Sequence, residues 1–223
     1  MRKQFDKKIN KLINYRIPRS FEASFQIINE TINNLWIKPI KTTGNEHLII
    51  YMHGGGFVEG SINSYKAFVS RILPHLGENI IFVIPEYRLA PEHVLPAAIE
   101  DCVNVYKWLI EDGKYDPKKI IFMGDSAGGN LVFSTTLKIL EENQLPTPGK
   151  LVALSPWIDL TLSQESYIRN NPLDPLCKTN FVRHCSGLAA PAESDKKKHS
   201  PLFASPGLFI FFPTFYIEFL LIV

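Results

Sequence analysis

A serine flanked two residues away on either side by glycine closes an apolar run, in Ile121-Phe122-Met123-Gly124-Asp125-Ser126-Ala127-Gly128-Gly129-Asn130. A strand that enters G-D-S-A-G and leaves as a helix must turn so sharply that its neighbours are small, which accounts for Gly124 and Gly128. Such a turn lifts Ser126 clear of the backbone into a cleft, where its hydroxyl is suited to attack a carbonyl carbon. Taken alone, the pattern also recurs by chance as a glycine-rich turn with an ordinary serine. The upstream sequence separates the two readings. The apolar run His47 to Tyr51 ends in Met52-His53-Gly54-Gly55-Gly56-Phe57. Three successive glycines make physical sense where backbone must come very close to another group. A tetrahedral oxyanion is such a group, since it needs donors about 2.7–3.1 Å away and tolerates no intervening side chain. The amides of Gly55, Gly56 and Ala127 are the expected donors of that oxyanion hole. His53, Gly54, Gly124, Asp125 and Gly128 are the residues that support it and the nucleophile.

Four segments in order, H-G-G-G-F at 53–57, Y-R-L-A-P-E-H at 87–93, P-A-A-I-E-D at 96–101 and G-D-S-A-G-G-N at 124–130, resemble the hormone-sensitive lipase branch of the α/β-hydrolases. The likeness runs from about residue 46 to about 160. Beyond that it continues in pieces, at 154–160 and at Ser200-Pro201-Leu202-Phe203-Ala204. The resemblance implies a carboxylesterase: hydrolysis of a small-molecule ester through an acyl-enzyme on Ser126, with no cofactor and no metal. It also implies a triad completed by an acid after the seventh strand and a histidine after the eighth.

Those two partners have no counterpart in this chain. After Ser126 the histidines are His184 and His199, and the aspartates are Asp159, Asp174 and Asp195. His199, beside Lys196-Lys197-Lys198, reads as an exposed loop residue upstream of where the base belongs. Asp174, between Pro172 and Pro175, reads as a turn residue. The expectation is therefore a hydrolase fold truncated at its C-terminal end and catalytically impaired. One alternative is a non-catalytic small-ligand-binding protein on the same fold, and another is a membrane-tethered interaction protein.

The elements that must position these residues follow from patterning. Compact apolar runs at 47–52, 80–85, 119–123 and 150–155 suit parallel strands covered on both faces, while 21–30 and 34–40 suit an antiparallel pair. Helices fit at 64–76, 96–112 and 127–142. The expected architecture is α/β, a doubly wound, mostly parallel sheet of the α/β-hydrolase type, missing the last strands. All 223 residues are read as one domain, with possible lid pieces at 1–18 and 160–198. Arg88, Glu92 and His93 read as structural ties at a strand-to-helix corner, and Glu100 and Asp101 as carboxylates suited to a helix start.

Composition narrows the class further. With 45% hydrophobic and 21% charged residues the chain has an ordinary globular balance, and a net charge of +2 offers no electrostatic case for nucleic acid. The three cysteines Cys102, Cys177 and Cys185, without framework spacing, suit a reduced, cytoplasmic setting. The start lacks the apolar core of a signal peptide. The tail 207–223 is strongly apolar but contains Pro213 and Glu218, and it is shorter than the roughly 20 apolar residues that span a bilayer. Membrane anchoring is accordingly the lesser reading. The tail is expected to begin the seventh strand and then to depart from the family pattern. Acyl and alcohol preference and oligomeric state have no signature in the sequence.

Overall fold

The computed structural model describes residues 17–204 and the backbone of 215–218. The possible lid piece at 1–18 falls almost wholly on residues outside that range. Seven strands form a single sheet: β1 (Phe21–Ile28), β2 (Ile32–Pro39), β3 (His47–Met52), β4 (Ile80–Pro85), β5 (Ile120–Asp125), β6 (Lys150–Leu154) and β7 (Phe215–Glu218). Their order across the sheet is β1-β2-β4-β3-β5-β6-β7. The first three of these pair antiparallel and the rest parallel. The tail therefore supplies a seventh strand, registered from Leu151↔Phe215 to Leu154↔Glu218. Among the described residues the sheet ends there.

Why the central strands hold is visible in their alternation. Leu48, Ile50 and Met52 of β3 and Ile81 and Val83 of β4 enter one apolar cluster. Ile49 and Tyr51, with Phe82 and Ile84, enter a second cluster on the opposite face. Helix α1 (Ile62–Leu76) covers the second face through Ile62, Val69 and Leu73. Helices α2 (Ala97–Glu111) and α3 (Ala127–Glu142) cover the first through Ile99, Val103, Leu131 and Val132. Both faces are thus buried, which is why these strands read as continuous apolar runs. The outer hairpin differs. Residues 22–27 of β1 are exposed, and the turn to β2 carries Asn29 and Glu30 at φ 50° and 61°, closed by Thr31 N–H donating to Ile28 O at 3.3 Å. Positive φ at both central positions gives the turn the twist that a hairpin requires.

Between β6 and β7 lie α4 (Ser166–Arg169), α5 (Thr179–Ala189) and α6 (Glu193–Lys198). At the corner before α2, Arg88 Nε lies 3.0 Å from both carboxylate oxygens of the buried Asp101, and Nη2 lies 2.8 Å from Oδ1. The Arg88 N–H also donates to Asp101 at 2.8 Å. Asp101 is thus a specific tie across the corner as well as a carboxylate in an early helical turn. Replacing it by alanine leaves the partly buried Arg88 N–H without its acceptor and half-releases the guanidinium. Asp101→Ala is expected to lower the unfolding free energy by about 1–3 kcal/mol in urea titrations, and an unchanged midpoint would contradict this role.

Candidate active site

Strand β5 runs into Ser126, and α3 begins at the next residue. Ser126 itself adopts φ 52° and ψ −117°, a region costing a non-glycine residue of order 1–3 kcal/mol. Surrounding bonds hold it there. Its N–H donates to Leu154 O at 3.0 Å, while its carbonyl accepts from Asn130 N at 3.1 Å and Trp157 N at 2.8 Å.

The flanking glycines are required by contact rather than by flexibility. A Cβ on Gly124 would sit 2.5 Å from Gly128 O and 2.6 Å from Met52 O, and one on Gly128 would sit 1.9 Å from Met52 O. The first turn of α3 is therefore pressed against the end of β3, where the glycine-rich loop departs. In that loop Gly55 and Gly56 have φ 123° and 62°. A Cβ on Gly55 would meet Glu59 O at 2.1 Å, and one on Gly56 would meet Cys185 Sγ at 2.9 Å.

Asp125 joins the two segments. Its Oδ1 accepts from Gly54 N at 3.0 Å and from Tyr51 OH at 2.8 Å, and its Oδ2 accepts from Tyr65 OH at 2.9 Å. Burial raises its carboxyl above the ordinary value, opposed by these hydrogen bonds. Both tyrosines are held well above their usual range by burial and by the neighbouring Asp125 charge. His53 is fully buried and stacked between Tyr87, 4.3 Å away at 19°, and Tyr65, 5.3 Å away at 28°. Its Nδ1 lies 2.8 Å from Gly54 O, which places the ring proton on that nitrogen. Tyr87 OH donates to His53 O at 2.6 Å. Each of the sequence-predicted residues His53, Gly54, Gly55, Gly56, Gly124, Asp125, Ser126, Ala127 and Gly128 falls into this one assembly.

Residues that sequence reasoning missed are Tyr51 and Tyr65, which fix Asp125, and Gly60, where a Cβ would meet His53 Nδ1 at 2.5 Å. Cys185 on α5, which backs Gly56, was also missed. Burial pushes its thiol up to about 11. None had a motif to mark it, since each acts through a partner distant in sequence.

Backbone amides left without an acceptor, in a loop pressed against the turn that carries a serine, are groups that can stabilise a tetrahedral oxyanion. Among the described residues no hydrogen bond joins Ser126 Oγ to an imidazole. The expectation for His199 is corrected. It is 8% exposed, closing α6 rather than hanging in a loop, and its carbonyl accepts from Asn130 Nδ2 at 3.1 Å. Its imidazole lies below the usual value, because burial and then Lys198 disfavour the cation, with Lys138 adding to this and Asp195 opposing it. His184 is exposed on α5. Asp159 is occupied by the N–H and hydroxyl groups of Thr161 and Ser163. Asp174 accepts from Leu176 N and Cys177 N, in the turn expected of it. Among the described residues no three His, Cys, Asp or Glu side chains converge as metal ligands. No helix there is long and apolar enough to cross a membrane.

The profile of the alpha/beta hydrolase fold family matches residues 49–217, which extends the likeness past the start of the apolar tail. The chain belongs to this family, in its hormone-sensitive lipase branch. It is 39% identical over 129 residues to an esterase of Acinetobacter venetianus, covering 58% of this chain and 41% of that protein. It is 30% identical over 183 residues to an acetyl-hydrolase of Streptomyces hygroscopicus, covering 77% and 59%. The chain thus spans about half the length of these curated relatives. The crystal structure of a hormone-sensitive lipase from a metagenome library superposes with a TM-score of 0.83 at 29% identity, over 97% of this chain and 69% of that one.

Two outcomes test this geometry. Gly128→Ala is expected to lower the unfolding free energy by more than about 3 kcal/mol. Gly187→Ala on α5, where an added Cβ meets nothing within 4 Å, is expected to raise it by up to about 1 kcal/mol. Equal effects in denaturant titrations would refute the crowding argument. The second outcome concerns pH. His199 is depressed below its ordinary 6.5, so the unfolded chain binds the proton more readily. Its contribution is fully present above pH 6.5 and is lost as pH falls below it. Stability measured from pH 7.5 to 5 is expected to fall less steeply in His199→Gln than in the wild type.

Proposed function

We propose that this chain carries the nucleophile and oxyanion-stabilising half of a serine carboxylic-ester hydrolase acting on a small-molecule ester. The observation that carries this reading is Ser126 in a left-handed backbone conformation at the mouth of α3, beside a loop whose Gly55 and Gly56 amides have no acceptor among the described residues. In the proposed reaction Ser126 Oγ attacks the ester carbonyl carbon, and the N–H groups of Gly55, Gly56 and Ala127 donate to the oxygen as it becomes negative. Collapse expels the alcohol and leaves an acyl-serine. Water then attacks the acyl carbon, releasing the acid and restoring the serine. Gly54 is not a donor in this scheme, because its N–H is committed to Asp125.

The proton of Ser126 needs an acceptor. All six histidines of the sequence lie among the described residues, and none is hydrogen-bonded to Ser126. Loss of the base in serine hydrolases costs on the order of 10⁶ in turnover, while oxyanion stabilisation and binding leave roughly 10³ over water. The chain as given is therefore proposed to turn over esters slowly. The same observation favours a second reading, a small-ligand-binding protein that uses the glycine-lined site without turnover.

A fluorophosphonate probe followed by intact-mass measurement tests the assignment. Labelling is expected to be slow, over hours, and confined to Ser126, with none in Ser126→Ala. Labelling complete within minutes would show that an imidazole does reach the serine, and labelling retained in Ser126→Ala would remove it as the nucleophile.

A further inference from the structure

A cavity of about 890 Å³ opens between the outer side of α3, the start of α2, α6 and the turn that follows α6. Neither Ser126 nor the glycine loop lines it, so it is separate from the site described above. Its volume lies within the roughly 300–1,000 Å³ typical of small-molecule sites. Its apolar lining includes Ile99, Leu137, Pro201 and Phe203, and Phe203 remains 42% exposed. Lys138, Lys197, Lys198 and His199 line it as well.

Two carboxylates, Glu141 and Glu193, also face this space, but the cations outnumber them. Glu193 is engaged by Lys196 at 3.0 Å, and Lys138 is engaged by Glu142 at 2.7 Å. Lys197 Nζ sits 5.7 Å over the Phe203 ring, so a cation and the apolar lining meet there. Lys198 makes no ion pair among the described residues. His199 is more than nine-tenths buried, and its ring nitrogens have no hydrogen-bond partner among the described residues. An anion beside Lys197 and Lys198 would accept from it and favour its charged form. A simple inorganic anion would leave the apolar lining wet, whereas a neutral alkane would leave Lys198 without a counter-ion.

We propose that this cavity binds a single-chain alkyl carboxylate, with the chain along Ile99, Leu137 and Phe203 and the carboxylate among Lys197, Lys198 and His199. The proposal does not depend on Ser126 being a nucleophile.

Isothermal titration of the full chain with decanoate at pH 7 and low salt tests it. Saturable one-site binding is expected in the sub-millimolar range, with decanol and inorganic phosphate each weaker by about ten-fold or more. Lys198→Glu, a change at an exposed position, is expected to weaken decanoate binding by about ten-fold. Leu137→Trp, which fills the cavity, is expected to abolish it while the fold is retained by circular dichroism. Ser126→Ala is expected to leave it unchanged, so a failure of the hydrolase reading remains distinguishable. In the wild type, decanoate should raise the His199 pKa in an NMR titration. Absence of saturation at several millimolar decanoate, equal binding of decanol, or indifference to Lys198→Glu would each overturn the proposal. Loss of binding in Ser126→Ala would also overturn it, by placing the ligand at the elbow.

Discussion

The carboxylate of Asp125 holds the two halves of the candidate site in one frame. It follows the last glycine of β5, precedes the serine, and receives the Gly54 N–H at 3.0 Å together with two tyrosine hydroxyls. Without it the loop at 53–57 and the turn at 124–128 would be adjacent but not registered. This registration does not come from favourable burial of charge. Desolvation raises the Asp125 carboxyl despite three hydrogen bonds, and the unfolded chain therefore gives up that proton at lower pH. By linkage, ionisation of Asp125 at neutral pH weakens the fold relative to a carboxyl free in water. The surrounding apolar packing has to offset that penalty. The two clusters that sandwich the sheet, with Ile50, Met52, Phe82 and Ile84 fully buried, are the source of the surplus.

How much of this was legible in the sequence depended on how local each cause was. The runs at 47–52 and 80–85 and the helix at 127–142 match the structure residue for residue, because burial on both faces writes an unbroken apolar string. Helix α1 begins at Ile62, two residues ahead of the expected start, since Ser61 accepts the Ser64 N–H and Glu86 accepts the Ile62 N–H. The second of these partners is distant in sequence and could not be foreseen. His199 was misjudged for a related reason. Three neighbouring lysines suggested solvent, but a short helix turns the lysines outward and the histidine inward. The tail was read as the start of the seventh strand and 215–218 do pair with β6, but a uniformly apolar segment gives no period from which to place the strand's bounds.

The strain at Ser126 shows why the two motifs occur together. Gly128 is glycine because Met52 O and His53 O lie where its Cβ would be, and those carbonyls belong to the other motif. Gly54 is glycine because Asp125 would be met at 2.4 Å, and that side chain belongs to the turn. Each glycine is thus explained by the opposite segment, so neither motif makes structural sense alone. This is the physical content of reading them as a pair: a chance G-x-S-x-G in a loop has no second backbone pressing on it, and a chance run of glycines has no carboxylate collecting its first amide. Asn130 extends the same logic one turn further. Its backbone N–H donates to the Ser126 carbonyl, and its side chain ties Trp157 O and His199 O together at 2.9 and 3.1 Å. The segment between β6 and β7 is thereby fastened to the helix that begins at the serine. A change in that segment has a short hydrogen-bonded route to the elbow, through a residue whose place in G-D-S-A-G-G-N is set by the tertiary contacts it makes.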